Sequence, residues 1–159
     1  DKLIYLEWTD REDERERGLI MLTLEQTNEI LDRTIQKAKE MNLPPLSMAI
    51  VDAGGHLINF RRQDGAPFFL VQICIGKAWG VAAMRRSTRA LGDRFKDRPH
   101  FLHSLIHLAE GKLVPVPGGV LIAKEGQVLG ALGVSGASSD EDEACAKAGI
   151  EAAGFEAII

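Results

Sequence analysis

Cysteine is scarce in this chain, positive charge is not in excess, and no apolar run is long. The two cysteines, Cys74 and Cys145, lie far apart without metal-ligand spacing, so neither a disulfide framework nor a thiolate metal site is implied. Buried free thiols are the expectation. Nineteen Lys and Arg stand against 23 Asp and Glu, for a net charge of -4 and a pI near 5.6. That balance argues against a nucleic-acid partner, which calls for a basic face. No apolar stretch reaches the ~18 residues of a membrane span, and the charged, apolar, then small-residue order of a leader is missing. No membrane contact is expected, and the cytoplasm is the default location, although a removed leader would leave the same sequence. No internal repeat or low-complexity tract stands out. What is there is ordinary for a globular protein: 159 residues, 45% hydrophobic and 26% charged, enough for one domain with a real core.

Residues 1–20 differ from the rest. "TDREDERERG" is a mixed charge run without hydrophobic period, preceded by "LIYLEW", which reads as a short strand. This stretch is an extension, a partner-binding arm or a remnant of cloning, and a single domain is expected over 21–159. Met21 has the features of a start, because Thr23 and Gln26 then form a T-x-x-Q capping box. Apolar or small residues at 24, 27, 31, 34, 35, 38 and 41 recur at helical spacing until Pro44 and Pro45. "LSMAIVDAGGHLINFRR" reads as a hairpin turning at Ala53, Gly54 and Gly55. Residues 66–86 are apolar on nearly every side and predict a buried helix with Pro67 in its first turn. Gly76 and Gly80 within it call for another backbone packed close. Ser87 or Thr88 caps "TRALGDRF", and "GGVLIAKEGQVLGALGV" is a second hairpin turning at Glu125 and Gly126. Adjacent strand pairs favour an antiparallel sheet. The expected class is α+β, four to five strands with helices on the faces, in the order α-β-β-α-α-β-β-α.

"GVSGASSDEDEACAKAG", residues 133–149, raises the question of an anion cradle at a helix start. Asp140, Glu141, Asp142 and Glu143 answer it, because carboxylates in the first turn satisfy the helix dipole and repel phosphate. Ser139 with Asp142, or Asp140 with Glu143, has capping-box spacing. The stretch reads as architecture.

The chemistry-bearing residues gather in "HFLHSLIHLAEG", residues 100–111. At ~100° per residue, His100, His103, His107 and Glu110 share one side with Ser104, opposite a broad apolar face. His103 and His107 are four apart, a spacing at which two imidazoles reach one metal, with Glu110 a turn further on. H-E-x-x-H is absent, since Ser104 stands where the glutamate belongs. The stripe is either a solvated polar face or a ligand set for a metal or for haem iron. His56 follows the first glycine turn, as a surface turn residue or a ligand overhanging a pocket. Lys77 interrupts the apolar helix and needs a carboxylate, a carbonyl or solvent. Arg61, Arg62 and Asp64 end the preceding strand, where they either supply that carboxylate or clamp an acidic ligand.

"AIVDAGGHL", "RQDGA" at 62–66, "KA" at 77–78, "ST" at 87–88, "PGG" at 117–119 and "GALGVSGASSDEDEACAKAG" occur in order from about Met21 to Phe155. Together they resemble the GlcG/HbpS-like haem-binding family, which includes the C-terminal domain of PduO-type cobalamin adenosyltransferases. The resemblance implies an antiparallel α+β domain, homo-oligomers from dimer to octamer, and binding of haem or a related tetrapyrrole in a catabolic or cofactor-handling context. Gln63 stands where the family commonly has methionine, and Leu121 where it usually has proline. The histidine stripe lies outside the shared motifs, so no ligand role transfers to it. Candidate cofactor-binding positions are His56, Arg62, Asp64, Lys77, Thr88, His103 and His107; candidate metal ligands are His103, His107 and Glu110. Two rivals remain: a small-molecule isomerase or hydrolase using Asp64, Lys77 and a histidine, and an accessory assembly subunit docking through residues 9–17 or the alanine-rich last helix.

Overall fold

The computed structural model describes residues 21–159. The strand read at "LIYLEW" and the charged arm at 9–17 lie outside them. The expected helices and both hairpins are present. Helix α1 (Leu24–Glu40) starts on the expected capping box: the Gln26 N–H donates to Thr23 Oγ1 at 3.1 Å, and the Thr23 N–H to Gln26 Oε1 at 2.9 Å. Its buried positions are Thr27, Ile30, Leu31, Thr34 and Ala38, whereas Leu24, expected inside, is exposed. The helix ends before the prolines. Asn42 takes a left-handed φ of 54°, a conformation its short side chain tolerates, and the Leu43 N–H bonds back to the Ala38 carbonyl.

Strands β1 (Ser47–Asp52) and β2 (Leu57–Arg62) form the first hairpin, with Gly55 at φ 85° in its turn. Helix α2 (Leu70–Met84) begins later than expected, because Pro67 lies in a separate turn before it. Ser87, not Thr88, caps α3 (Thr88–Phe95), accepting from the Ala90 N–H at 3.1 Å. The histidine stretch is α4 (Pro99–Leu108). Strands β3 (Gly119–Lys124) and β4 (Gln127–Ser135) meet through Glu125 and Gly126, both at positive φ, as a tight hairpin requires. Helix α5 (Ser139–Ala152) follows, and β5 (Glu156–Ile158) adds a short strand that sequence periodicity did not show. Three residues are too few to establish alternation.

The sheet is antiparallel throughout in the order β2-β1-β4-β3-β5. Alternation along its strands divides the core in two. Met48, Ile50, Val120, Ile122, Leu132 and Val134 face α1 and α5, while Val51, Leu121 and Ala131 face α2. Two glycines set the helix distances. A Cβ on Gly133 would lie 2.0 Å from the Cys74 carbonyl oxygen, so β4 and α2 touch backbone to backbone. A Cβ on Gly149 would lie 1.9 Å from Thr34 Oγ1, where α5 crosses α1. Gly76 and Gly80 admit the segment 112–114, as expected: a Cβ on Gly76 would lie 3.4 Å from the Lys112 carbonyl oxygen and one on Gly80 3.7 Å from Leu113 Cα, with the Val114 and Leu113 side chains closer still. Helices α3 and α4 form a lobe around Leu91, Phe95 and Leu113, and α4 itself has no buried residue.

Candidate functional site

The polar residues singled out by sequence fall into four separate places. The first is dry. Lys77 Nζ donates to Asp142 Oδ2 at 2.9 Å and to the Val134 carbonyl at 2.8 Å, and both side chains are 3% exposed. Asp142 Oδ1 accepts the Ala137 N–H at 3.0 Å. Burial pushes the Asp142 carboxyl above its ordinary value, against the opposing pull of Lys77 and the backbone donors. The carboxylate that meets Lys77 is thus Asp142 and not Asp64, and the pair is enclosed. The capping box is also shifted by one residue. Ser138 caps α5 and Glu141 answers it, which leaves Asp142 for Lys77 and Glu143 for Arg89 Nε at 2.7 Å. Thr88 is equally enclosed: its hydroxyl accepts the Gly119 N–H at 2.9 Å and donates to the Gly119 carbonyl at 3.3 Å. These residues join α2, α3, β3 and α5.

The second place is an open cleft of about 580 Å³ beside α4, lined by His103, Ile106, His107, Glu110 and Gly111. The expected stripe therefore exists as a surface. His103 and His107 are exposed and have no hydrogen-bond partner among the described residues, whereas Glu110 pairs with Lys112 at 3.2 Å. Among the described residues no three His, Cys, Asp or Glu side chains are gathered to hold a metal ion. His103, His107 and Glu110 share a cleft without being assembled as a three-ligand set. Phe101 and Leu108 on the same helix stand exposed.

The third place is a cleft of about 590 Å³ between the end of α1 and the residues after β2, lined by Arg61, Arg62, Gln63 and Asp64 among others. It shares no residue with the α4 cleft. Asp64, Lys77 and the histidines therefore occupy different sites, and the acid–base trio is not brought together. His56 stands apart at the first hairpin tip, 82% exposed. Its Nδ1 lies 3.1 Å from both Asp52 carboxylate oxygens, and Asp52 Oδ1 also accepts the Gly54 and His56 N–H groups. Burial raises the Asp52 carboxyl, but the hydrogen bonds from His56 and Gly54 outweigh it and hold the group below its usual range. Sequence reasoning missed Asp52 and Asp142 as partners. The D-x-x-x-H spacing across a turn pointed to Asp52; nothing local pointed to Asp142, 65 residues from Lys77.

Comparison with known proteins agrees with this architecture. The profile of the family described as "Haem degrading protein HbpS-like" matches residues 22–151. This chain belongs to the HbpS-like family. It is 29% identical over 131 residues to the corrinoid adenosyltransferase PduO of Citrobacter freundii, an alignment covering 82% of this chain and 38% of PduO. The chain thus spans about two fifths of that relative's length. It is 31% identical over 101 residues to Escherichia coli GlcG, covering 63% of this chain and 71% of GlcG. The crystal structure of a PduOC–haem complex superposes with a TM-score of 0.79 at 26% identity, covering 88% of this chain and all of that one. Among the described residues no helix is long and apolar enough to cross a membrane.

Proposed function

We propose that this protein binds haem on the exposed face of α4, where His103 or His107 would hold the iron. The observation that carries the reading is the pair of unpartnered imidazoles lining an open cleft with Ile106 between them. Neutral imidazole is a common iron ligand, and an apolar side chain beside it suits the porphyrin plane. The donor set fits the group at one face. Family membership and the haem complex of PduOC support the choice of ligand. Bound iron would supply ligand exchange and electron transfer at that surface. The chain's own contribution is to hold the imidazoles in place by α4 and to leave Glu110 tied to Lys112. The face is open, so a second copy is proposed to cover the bound haem, in a homo-oligomer.

His56 is a second reading with its own observation. A histidine whose Nδ1 is oriented by a carboxylate presents Nε2 outward, the usual arrangement of a metal-bound imidazole. Hemin titration followed by the Soret band separates the two. Saturable binding lost in His103→Ala or His107→Ala and kept in His56→Ala supports the α4 site. Loss in His56→Ala alone moves the ligand to the hairpin, and binding indifferent to all three substitutions refutes both. Light scattering with and without hemin reads the second copy: unchanged monomer mass overturns it.

A further inference from the structure

The cleft at the end of α1 is built independently of the α4 face. Its floor is apolar, from Ile35, Ala38, Leu43 and Pro45, and its polar rim includes Lys39, Arg61 and Gln63. Arg61 is held in place by the Asp32 carboxylate and by Asn28 Oδ1 at 3.1 Å. Gln63 is clamped to the opposite wall like a strand residue: its N–H donates to the Leu46 carbonyl at 2.9 Å, and its Oε1 accepts the Leu46 N–H at 2.8 Å. That leaves the amide Nε2 without a partner among the described residues. Gly65, at φ 83°, and the bond from the Ala66 N–H to the Gln63 carbonyl close the turn behind it. A guanidinium fixed from one side and an amide fixed from the other are placed before any ligand arrives, which lowers the entropic cost of binding.

Charge and volume select the ligand. Lys39, Arg61 and Arg62 line the cleft against one acid, Asp64, with Arg61 partly neutralised by Asp32. The surplus suits a single negative charge, and the apolar floor suits a short hydrocarbon chain. About 590 Å³ lies within the range of small-molecule clefts. We propose that this cleft binds a small aliphatic carboxylate, its charge at Arg61 and the Gln63 amide and its chain over Ile35 and Leu43. A single carboxylate can use the guanidinium donors left over from Asp32 and Asn28 together with Gln63 Nε2, while a phosphate would need more cations and leave the floor unused.

The test is titration of the full chain, labelled with ¹⁵N, by sodium hexanoate at constant ionic strength. Saturable shifts are expected among the amides of residues 35–46 and 61–66. Affinity is expected to fall about tenfold in Arg61→Gln, the size of one charged hydrogen bond lost. Because that substitution also frees Asp32, Lys39→Gln on the exposed rim is the companion variant, with a smaller loss. Inorganic phosphate at equal ionic strength is expected to give no saturation. Equal binding of phosphate, or hexanoate shifts indifferent to both substitutions, overturns the proposal as an adventitious anion effect only. Hemin titration of the same variants should be unchanged, so this cleft and the α4 site fail separately.

Discussion

Lys77 and His107 are both polar residues set into helices rich in apolar ones, and the fold treats them in opposite ways. Lys77 sits on α2, pressed against the sheet, where an unpaired ammonium is prohibitive; Asp142 and the Val134 carbonyl complete it. His107 sits on the exposed side of α4, a helix with no fully buried residue, and the chain gives it no partner among the described residues. The difference shows how to separate structural polarity from available polarity. A polar group removed from water must be satisfied by the fold itself, so it is spent before any ligand arrives. One left at the rim keeps its hydrogen-bonding and metal-binding capacity.

Breaking the dry pair should produce the largest effect. Lys77→Ala leaves the Asp142 carboxylate buried and unpaired, and should cost about 3–5 kcal/mol of stability in denaturant unfolding. The double substitution Lys77→Met with Asp142→Leu should recover much of that loss, because it removes both charges; no recovery would mean the pair is not acting as a unit. Gly133→Ala forces a methyl group into the Cys74 carbonyl and should cost about 1–3 kcal/mol or more, read as a fall in Tm. Smaller again is Ser138→Ala, which removes the α5 cap for about 1 kcal/mol. The hydroxyl and N–H of Ser138 hold the Glu141 carboxyl below its ordinary value. The stabilisation from that depressed carboxyl is therefore present above the unfolded pKa and is lost as pH falls through the lower folded value. Ser138→Ala should flatten this acid limb of the Tm profile.

At the other end, His103→Ala and His107→Ala should move unfolding by less than about 0.5 kcal/mol while removing the hemin Soret change. A large stability loss there would erase the distinction between the two regions. The thiols offer a last check on burial. Burial raises Cys74 to about 12 and Cys145 to about 11. Iodoacetamide near about pH 8 should leave both unmodified in the native protein and modify both in denaturant.

Much of the fold was legible because it rests on local patterns. The Thr23–Gln26 box and the Gly55 and Glu125–Gly126 turns that set the two hairpins are carried by residues within a few positions of one another. Misreadings were local too. Ser138 rather than Ser139 caps α5, since four consecutive acids after a serine pair fit the box in more than one register. β5 was too short to announce itself. The site was legible in part: the α4 stripe was visible as a helical face, but the sequence did not show that its three carboxylate and imidazole candidates stay unassembled.

The sequence by itself determined the main helices and the two hairpins, where their turns lie, and that a stripe of imidazoles shares one helix face. Those properties follow from backbone sterics and from side-chain period, both of which act over a few residues. Only the tertiary structure decided that Lys77 meets Asp142 instead of Asp64, and that Asp64 and the histidines line different clefts. Partners far apart in sequence are chosen by the packing of helices on a sheet, where desolvation makes an unpaired charge intolerable and whichever group is within reach must answer it.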